Sequence, residues 1–256
     1  MKRCLVLFFL LVGVLGTVQS YSQEDYSFYL KVGTGASLSQ LANVVALSSP
    51  WNEAEQGYDS NLGNCAIVGF GIGCELWDVV DLEVTISNRS IFEYRKFQTA
   101  TNGDGSYTRE FDLSVTPILL TANFLGKGIP HLHWNVGEGC FHPMLGVGLG
   151  VSNLLITNFR TTGLALTGDS SPFNSFSAEN QYTMRKNFTY AVAVGFEYNY
   201  DERWAIGTGY RWLNAGNFDG PEYLRTVNGS AVDVGSYAWQ MRFRANEWFV
   251  EFKIFI

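Results

Sequence analysis

Over most of this chain the apolar positions recur at every second residue rather than every third or fourth. A period of two belongs to a strand with one apolar face. Eight segments carry it. Segment 27–37 sets Phe28, Leu30 and Val32 against Tyr29, Lys31 and Gly33. Segment 65–76 sets Ala66, Val68, Phe70 and Ile72 against Ile67, Gly69, Gly71 and Gly73. Segment 80–97 opposes Leu82, Val84 and Ile86 to Asp81, Glu83 and Thr85, and segment 107–124 opposes Phe111, Leu113 and Val115 to Asp112, Ser114 and Thr116. Segment 143–157 is the clearest, with Leu145, Val147, Leu149 and Val151 facing one way and Met144, Gly146, Gly148, Gly150 and Ser152 the other. Segment 187–200 alternates Phe188, Tyr190, Val192, Val194, Phe196 and Tyr198 with Thr189, Ala191, Ala193, Gly195 and Glu197. Segment 203–214 alternates Trp204, Ile206, Thr208, Tyr210 and Trp212 with Ala205, Gly207, Gly209 and Arg211. Segment 248–256 closes the chain, with Trp248, Val250, Phe252, Ile254 and Ile256 against Phe249, Glu251, Lys253 and Phe255.

The connections between these segments alternate in length. Long polar stretches, 38–64, 98–106, 158–185 and 215–235, follow the first, third, fifth and seventh segments. Short ones, 77–79 and 201–202, follow the second and sixth, while 126–142 is long for a tight turn. Long loops on one side and short turns on the other are the pattern of an outer-membrane barrel. Lipid offers no hydrogen-bond partners, so a sheet that faces it must close on itself. The expected fold is therefore all-β: an eight-stranded antiparallel up-and-down transmembrane β-barrel, with both chain ends on the periplasmic side.

The first residues stand apart. Lys2 and Arg3 form a basic head, residues 4–15 are almost wholly apolar, and Val18 and Ser20 place short residues before a break. That order is a secretory signal peptide. Residues 1–20 are read as the signal, cleaved after Ser20, and 21–256 as the barrel. The apolar run is shorter than the roughly 20 residues a spanning helix needs.

Composition agrees with a wall that faces lipid. The chain holds 19 Phe, 13 Tyr, 7 Trp and 27 Gly but only 16% charged residues. Without Lys2 and Arg3 the basic count falls from 17 to 15 against 24 acids, a balance of −9, which argues against nucleic acid as a partner. Phe28, Tyr190, Tyr198, Trp204, Tyr210, Trp212 and Trp248 fall toward strand ends on the apolar face, where interfacial aromatic girdles form.

The opposite face carries glycines and a few charges. Lys31, Glu75, Glu83, Glu197, Arg211, Glu251 and Lys253 all fall on it. An eight-stranded barrel is just wide enough for side chains to fill, and isolated buried charges are costly. These seven are expected to pair as a lumenal charge network that either plugs the barrel or gates a narrow pore.

The run from His142 to Ser152, with its Pro143, Gly146, Gly148 and Gly150, resembles the glycine-alternating fifth strand of the outer-membrane β-barrel superfamily that holds the opacity-type surface antigens and the OmpA-like and OmpX-like small barrels. The alternating tail Trp248, Val250, Phe252, Ile254 and Ile256 is similar to the C-terminal strand that such proteins present to the barrel-assembly machinery. It departs in its last residue, since the family usually ends in Phe and here Phe255 is followed by Ile256. The resemblance covers roughly residues 26–256 and implies an outer-membrane location, with lipid, lipopolysaccharide and the barrel-assembly machinery as partners. Fold alone does not imply function.

The remaining chemistry is sparse. His131, His133 and His142 cluster with Glu138 and Cys140 in the long turn-side connection, but without the carboxylates that orient metal-bound histidines. No metal or other cofactor is expected. The chain has three histidines, all on the turn side, so none is available on the outer loops for a hydrolase or acyltransferase. The expectation is that the chain is not an enzyme. Cys65 and Cys74 face opposite ways, about 30 Å apart along one strand, and cannot bridge. Cys74 and Cys140 both fall near the turn-side rim, and their pairing is left open. Two functions fit: a surface-exposed structural or adhesin-type protein whose Ser-, Asn- and Thr-rich loops meet host-surface ligands, or a narrow pore for ions or small solutes.

Overall fold

The computed structural model describes residues 26–45, 61–76, 79–99, 105–165, 176–178, 182–200, 203–219, 223–226, 231–233 and 240–256. The expected signal peptide and most of the long loops lie outside these residues. Eight strands form the wall: β1 (Tyr26–Val45), β2 (Asn61–Leu76), β3 (Val80–Thr99), β4 (Gly105–Leu125), β5 (Gly139–Ala165), β6 (Tyr182–Tyr200), β7 (Trp204–Asp219) and β8 (Gln240–Phe255). Each pairs antiparallel with its sequence neighbour, and β1 also pairs with β8, so the sheet closes. This is the architecture that the alternation predicts. Among the described residues no helix is long and apolar enough to cross a membrane, which says nothing of strands.

Closure is sealed at the turn end. The Ile256 amide donates to the Phe28 carbonyl at 2.9 Å, and the Phe255 amide donates to the Arg203 carbonyl at 3.0 Å. The last residues are thus bonded to both β1 and the β6–β7 turn. At Gly73 on β2 a Cβ would lie 2.3 Å from the Tyr29 ring of β1, so the ring lies flat against the wall only because the position is glycine.

The strands run further toward the loop end than the alternation implies. β5 reaches Ala165 and β8 begins at Gln240 rather than near Trp248. Short strands Phe176–Ala178, Tyr223–Thr226 and Ala231–Asp233 continue the sheet beyond β5, within stretches expected to be plain loop. Alternation weakens there for two reasons. Register shifts interrupt the pairing near Arg89, Glu110 and Phe243. The polarity of the two faces also reverses.

That reversal corrects one expectation. In the turn-end half the wall is apolar outside, with Phe70, Ile72, Leu120, Leu149, Val194 and Val250 all at least half exposed. In the loop-end half, Phe111, Leu113 and Val115 point inward and are fully buried, while Asp112, Ser114 and Thr116 face out. Reading apolar as outward therefore misplaced these three residues. A stretch of wall with polar residues outside suits water there, and its apolar face turns in. The inner residues form an apolar core of Leu62, Phe92, Tyr94, Phe111, Leu154 and Phe243 among others. Tyr94 stacks on Phe111 at 4.6 Å between ring centroids, and Phe92 packs against Phe243 at 5.6 Å.

Two smaller corrections concern the long turn-side connection. Its last residues, from Gly139, already belong to β5, so His142 is a strand residue and not a loop residue. The short strand Trp134–Val136 folds back to pair with Trp134 opposite Phe141. Cys74 carries a free thiol and does not bridge to Cys140. By strand alternation Cys74 falls on the outer face and Cys140 on the inner one, so the wall stands between them.

Candidate functional site

The lumen is the most elaborated part of the molecule. Its inward positions are supplied by all eight strands, because every second residue of each strand must point in. The charged side chains gather in two tiers below the apolar core.

The tier nearer the turn end centres on two ammoniums. Lys31 Nζ lies 2.6 Å from Glu83 Oε1 and 3.1 Å from Glu251 Oε2. Lys253 Nζ lies 2.7 Å from both Asp81 Oδ2 and Glu197 Oε2. Tyr29 Oη donates to Glu83 Oε2 at 3.1 Å, and the Tyr29 ring lies 4.7 Å from the Lys253 ammonium. Asn123 Nδ2 donates to Asp81 Oδ1 at 2.6 Å.

The second tier centres on one carboxylate. Glu247 accepts from Arg89 Nε at 2.6 Å and Nη2 at 2.8 Å, a forked pair. It also accepts from Arg211 Nε at 2.8 Å and Ser37 Oγ at 3.2 Å. Arg89 Nη1 donates to Ser87 Oγ at 3.1 Å, and both Arg89 and Glu247 are inaccessible to solvent. A separate pair closes the turn-end rim, where Lys127 Nζ lies 2.6 Å from Glu75 Oε1.

All seven residues expected to line the lumen are placed in it or at its rim. Lys31, Glu83 and Glu251 form one group, Lys253 and Glu197 join another, and Arg211 and Glu75 each find a partner outside the expected set. Residues that pattern alone overlooked complete these groups: Asp81, Arg89, Glu247, Asn123, Lys127 and His142. Asp81 was visible in the alternation of segment 80–97. Arg89 sits beside a register shift, and Glu247 lies just before the segment read as the last strand. His142, fully buried, faces Glu197 at 3.8 Å from Nε2 to Oε1.

Little space remains. A small cavity between Glu83, Thr121, Gly146, Ala191, Arg211 and Glu251 has room for only about one or two waters. Above it stands the apolar core. Charge pairs and buried rings crowd the lumen around this cavity.

On the outer face, Trp248, Val250, Ile254 and Ile256 are exposed and Phe252 is half-buried. Around the turn end the outer rings form two groups: Trp134 packs on Phe141 and Phe141 stacks on Phe196 at 5.3 Å, while Trp204 contacts Tyr198, Tyr200 and Phe252. The short strand is tied to this belt by Tyr198 Oη, which donates to the Val136 carbonyl at 2.9 Å, and by a hydrogen bond from Tyr200 Oη to Glu138.

No protein-family model matches the sequence. No curated protein matches it at a significant level. Among solved structures it is similar to the outer membrane protein OprG from Pseudomonas aeruginosa, at 11% identity and a TM-score of 0.47, covering 91% of this chain and 97% of that one. It is similar to Neisserial surface protein A at 13% identity and a TM-score of 0.43, covering 90% and 99%. It is also similar to the outer membrane protease OmpT from Escherichia coli at 10% identity and a TM-score of 0.39, covering 93% and 98%. Their names span a surface protein, an outer membrane protein and a protease. With TM-scores under 0.5, the likeness does not bear on activity.

Proposed function

We propose that the chain is an integral outer-membrane barrel with a closed lumen, and that its working surface is the loop end. The observation that carries this reading is the inversion along the wall. One half is apolar outside and charged inside, which suits lipid; the other is polar outside and apolar inside, which suits water. A soluble barrel has no reason to expose Phe70, Ile72, Leu120 and Phe188 together. The turn end with both chain ends then lies in the periplasm, and Trp248, Val250, Phe252, Ile254 and Ile256 form the strand offered to the assembly machinery. The loop end projects as a water-exposed platform, whose loops meet ligands at the cell surface in a structural or adhesin-type role.

A second reading, a narrow pore for ions or small solutes, draws on the cavity lined by Glu83, Arg211 and Glu251. Planar-bilayer recording of the folded protein separates the two. The closed-lumen reading expects no current above background, whereas steady unitary currents favour the pore. Deleting residues 46–60 tests the loop role: loss of cell attachment with an intact barrel supports it, and unchanged attachment for each loop in turn removes it.

A further inference from the structure

The turn-end tier of the lumen holds more negative than positive charge. Among the described residues it brings together the carboxylates of Asp81, Glu83, Glu197 and Glu251 with only the ammoniums of Lys31 and Lys253. In the tier above, Arg89 and Arg211 share the single carboxylate of Glu247, so one positive charge is in excess there. Glu75 and Lys127 cancel at the rim. Arg211 also lines the cavity beside Glu83 and Glu251, so among the described residues the unmatched carboxylate lies in the group of Asp81, Glu197 and Lys253. An uncompensated charge in a desolvated interior is strongly unfavourable.

The deficit falls at Glu197. Its Oε2 shares Lys253 with Asp81, while its Oε1 is buried and has no hydrogen-bonding group of the protein within reach. Across the β5–β6 ladder, His142 is the register partner of Glu197. His142 Nε2 is likewise buried and accepts or donates no hydrogen bond, 3.8 Å from Glu197 Oε1. Two residues along the same face of β6, Asn199 is 4% exposed, and both its amide oxygen and its amide nitrogen are unbonded. Cys140 holds the register position opposite Asn199.

The histidine tautomer sharpens the point. His142 Nδ1 lies 3.4 Å from the Pro143 carbonyl oxygen. A carbonyl only accepts, so Nδ1 carries the hydrogen, and in the neutral ring Nε2 presents its lone pair. A backbone carbonyl holding one imidazole nitrogen while the other is free to coordinate is the usual support of a metal-bound histidine. Here that lone pair faces a carboxylate oxygen, an arrangement that repels unless a cation lies between them. At 3.8 Å both atoms reach one ion with bonds of about 2.0–2.2 Å at an angle wider than tetrahedral, which a small inward shift of either side chain closes.

We propose that His142 Nε2, Glu197 Oε1 and Asn199 Oδ1 form a buried site for one divalent transition-metal ion. Imidazole, carboxylate and amide oxygen together suit a borderline ion such as Zn²⁺ or Ni²⁺. Its positive charge offsets the unmatched carboxylate of the Asp81, Glu197 and Lys253 group. No three residues among His, Cys, Asp and Glu converge in the described structure, so the amide oxygen of Asn199 supplies the third donor. Lys253 stays on the far oxygen of Glu197, and the ion bridges the β5 and β6 strands next to the turn end. The exposed His131 and half-buried His133 lie outside the lumen and take no part.

The test is calorimetric titration of the detergent-folded, chelator-stripped full chain with Zn²⁺ alone. One ion per barrel is expected. His142→Gln and Glu197→Gln should each weaken binding at least about tenfold, while the His131→Gln/His133→Gln double variant should bind as the parent does. Each variant is first shown to fold by its unheated gel mobility. Nitrogen-15 NMR of the metal-free parent gives a reading that needs no variant: His142 should show one protonated and one unprotonated ring nitrogen. The proposal is overturned if the parent shows no saturable binding, or if binding survives His142→Gln and vanishes in the His131/His133 variant. It is equally overturned if His142 is doubly protonated at neutral pH, because a proton then supplies the missing charge.

Discussion

Replacing Glu247 by Gln leaves Arg89 and Arg211 buried against a neutral amide. Breaking a buried ion pair from one side costs about 3–5 kcal/mol, because the remaining charge stays desolvated. Urea unfolding in lipid vesicles should show a loss of that order, whereas an unchanged midpoint contradicts a dry Arg89–Glu247–Arg211 tier. Gly73→Val is the corresponding test of packing. Its new side chain displaces the Tyr29 ring, which in turn loses Glu83 and Lys253. Overpacking of this kind costs about 1–3 kcal/mol. Tyr29→Phe, which removes only the hydroxyl, should cost less in the same assay. At this scale the sequence was legible where a charge interrupts clean alternation: Lys31, Glu83, Glu197, Arg211, Glu251 and Lys253 all read as inward. It was not legible where a partner depends on register across distant strands. Nothing local connects Arg89 on β3 with Glu247 on β8, 158 residues apart.

At the scale of single strands, β4 shows how one alternation can serve two solvents. Ile118, Leu120 and Phe124 face out in the turn-end half, and Ser114 and Thr116 face out beyond them. A Leu120→Arg substitution places a cation in the apolar band and should cost about 2–4 kcal/mol. The same residue at position 114 should cost about 0–1 kcal/mol. Refolding into vesicles and urea titration measure both, and equal losses at the two sites would place the membrane boundary elsewhere. The period of two was readable along nearly all of β4. The direction of each face was not, because alternation states that two faces differ but not which one meets lipid. The same ambiguity misplaced Phe111, Leu113 and Val115. The short strands at the loop end escaped notice for another reason: three- and four-residue pairings carry too little pattern to be seen.

For the whole molecule, the account rests on one claim, that the chain folds as a closed barrel whose outer wall faces lipid. The strand count was legible in the sequence, as were Tyr198 and Trp204 of the aromatic belt at the turn end, whereas Trp134, Phe141 and Tyr200 were not read as part of it. The plug was only half legible, since its charges were read and its apolar upper part was not. A closed, fully hydrogen-bonded barrel with a filled lumen resists unfolding by dodecyl sulfate until heated. Electrophoresis of the detergent-folded protein, with and without boiling, tests this most directly. The account predicts two distinct mobilities, with the unheated form compact and the boiled form running as an unfolded chain. A single mobility under both conditions, from protein that is otherwise folded in detergent, would contradict it.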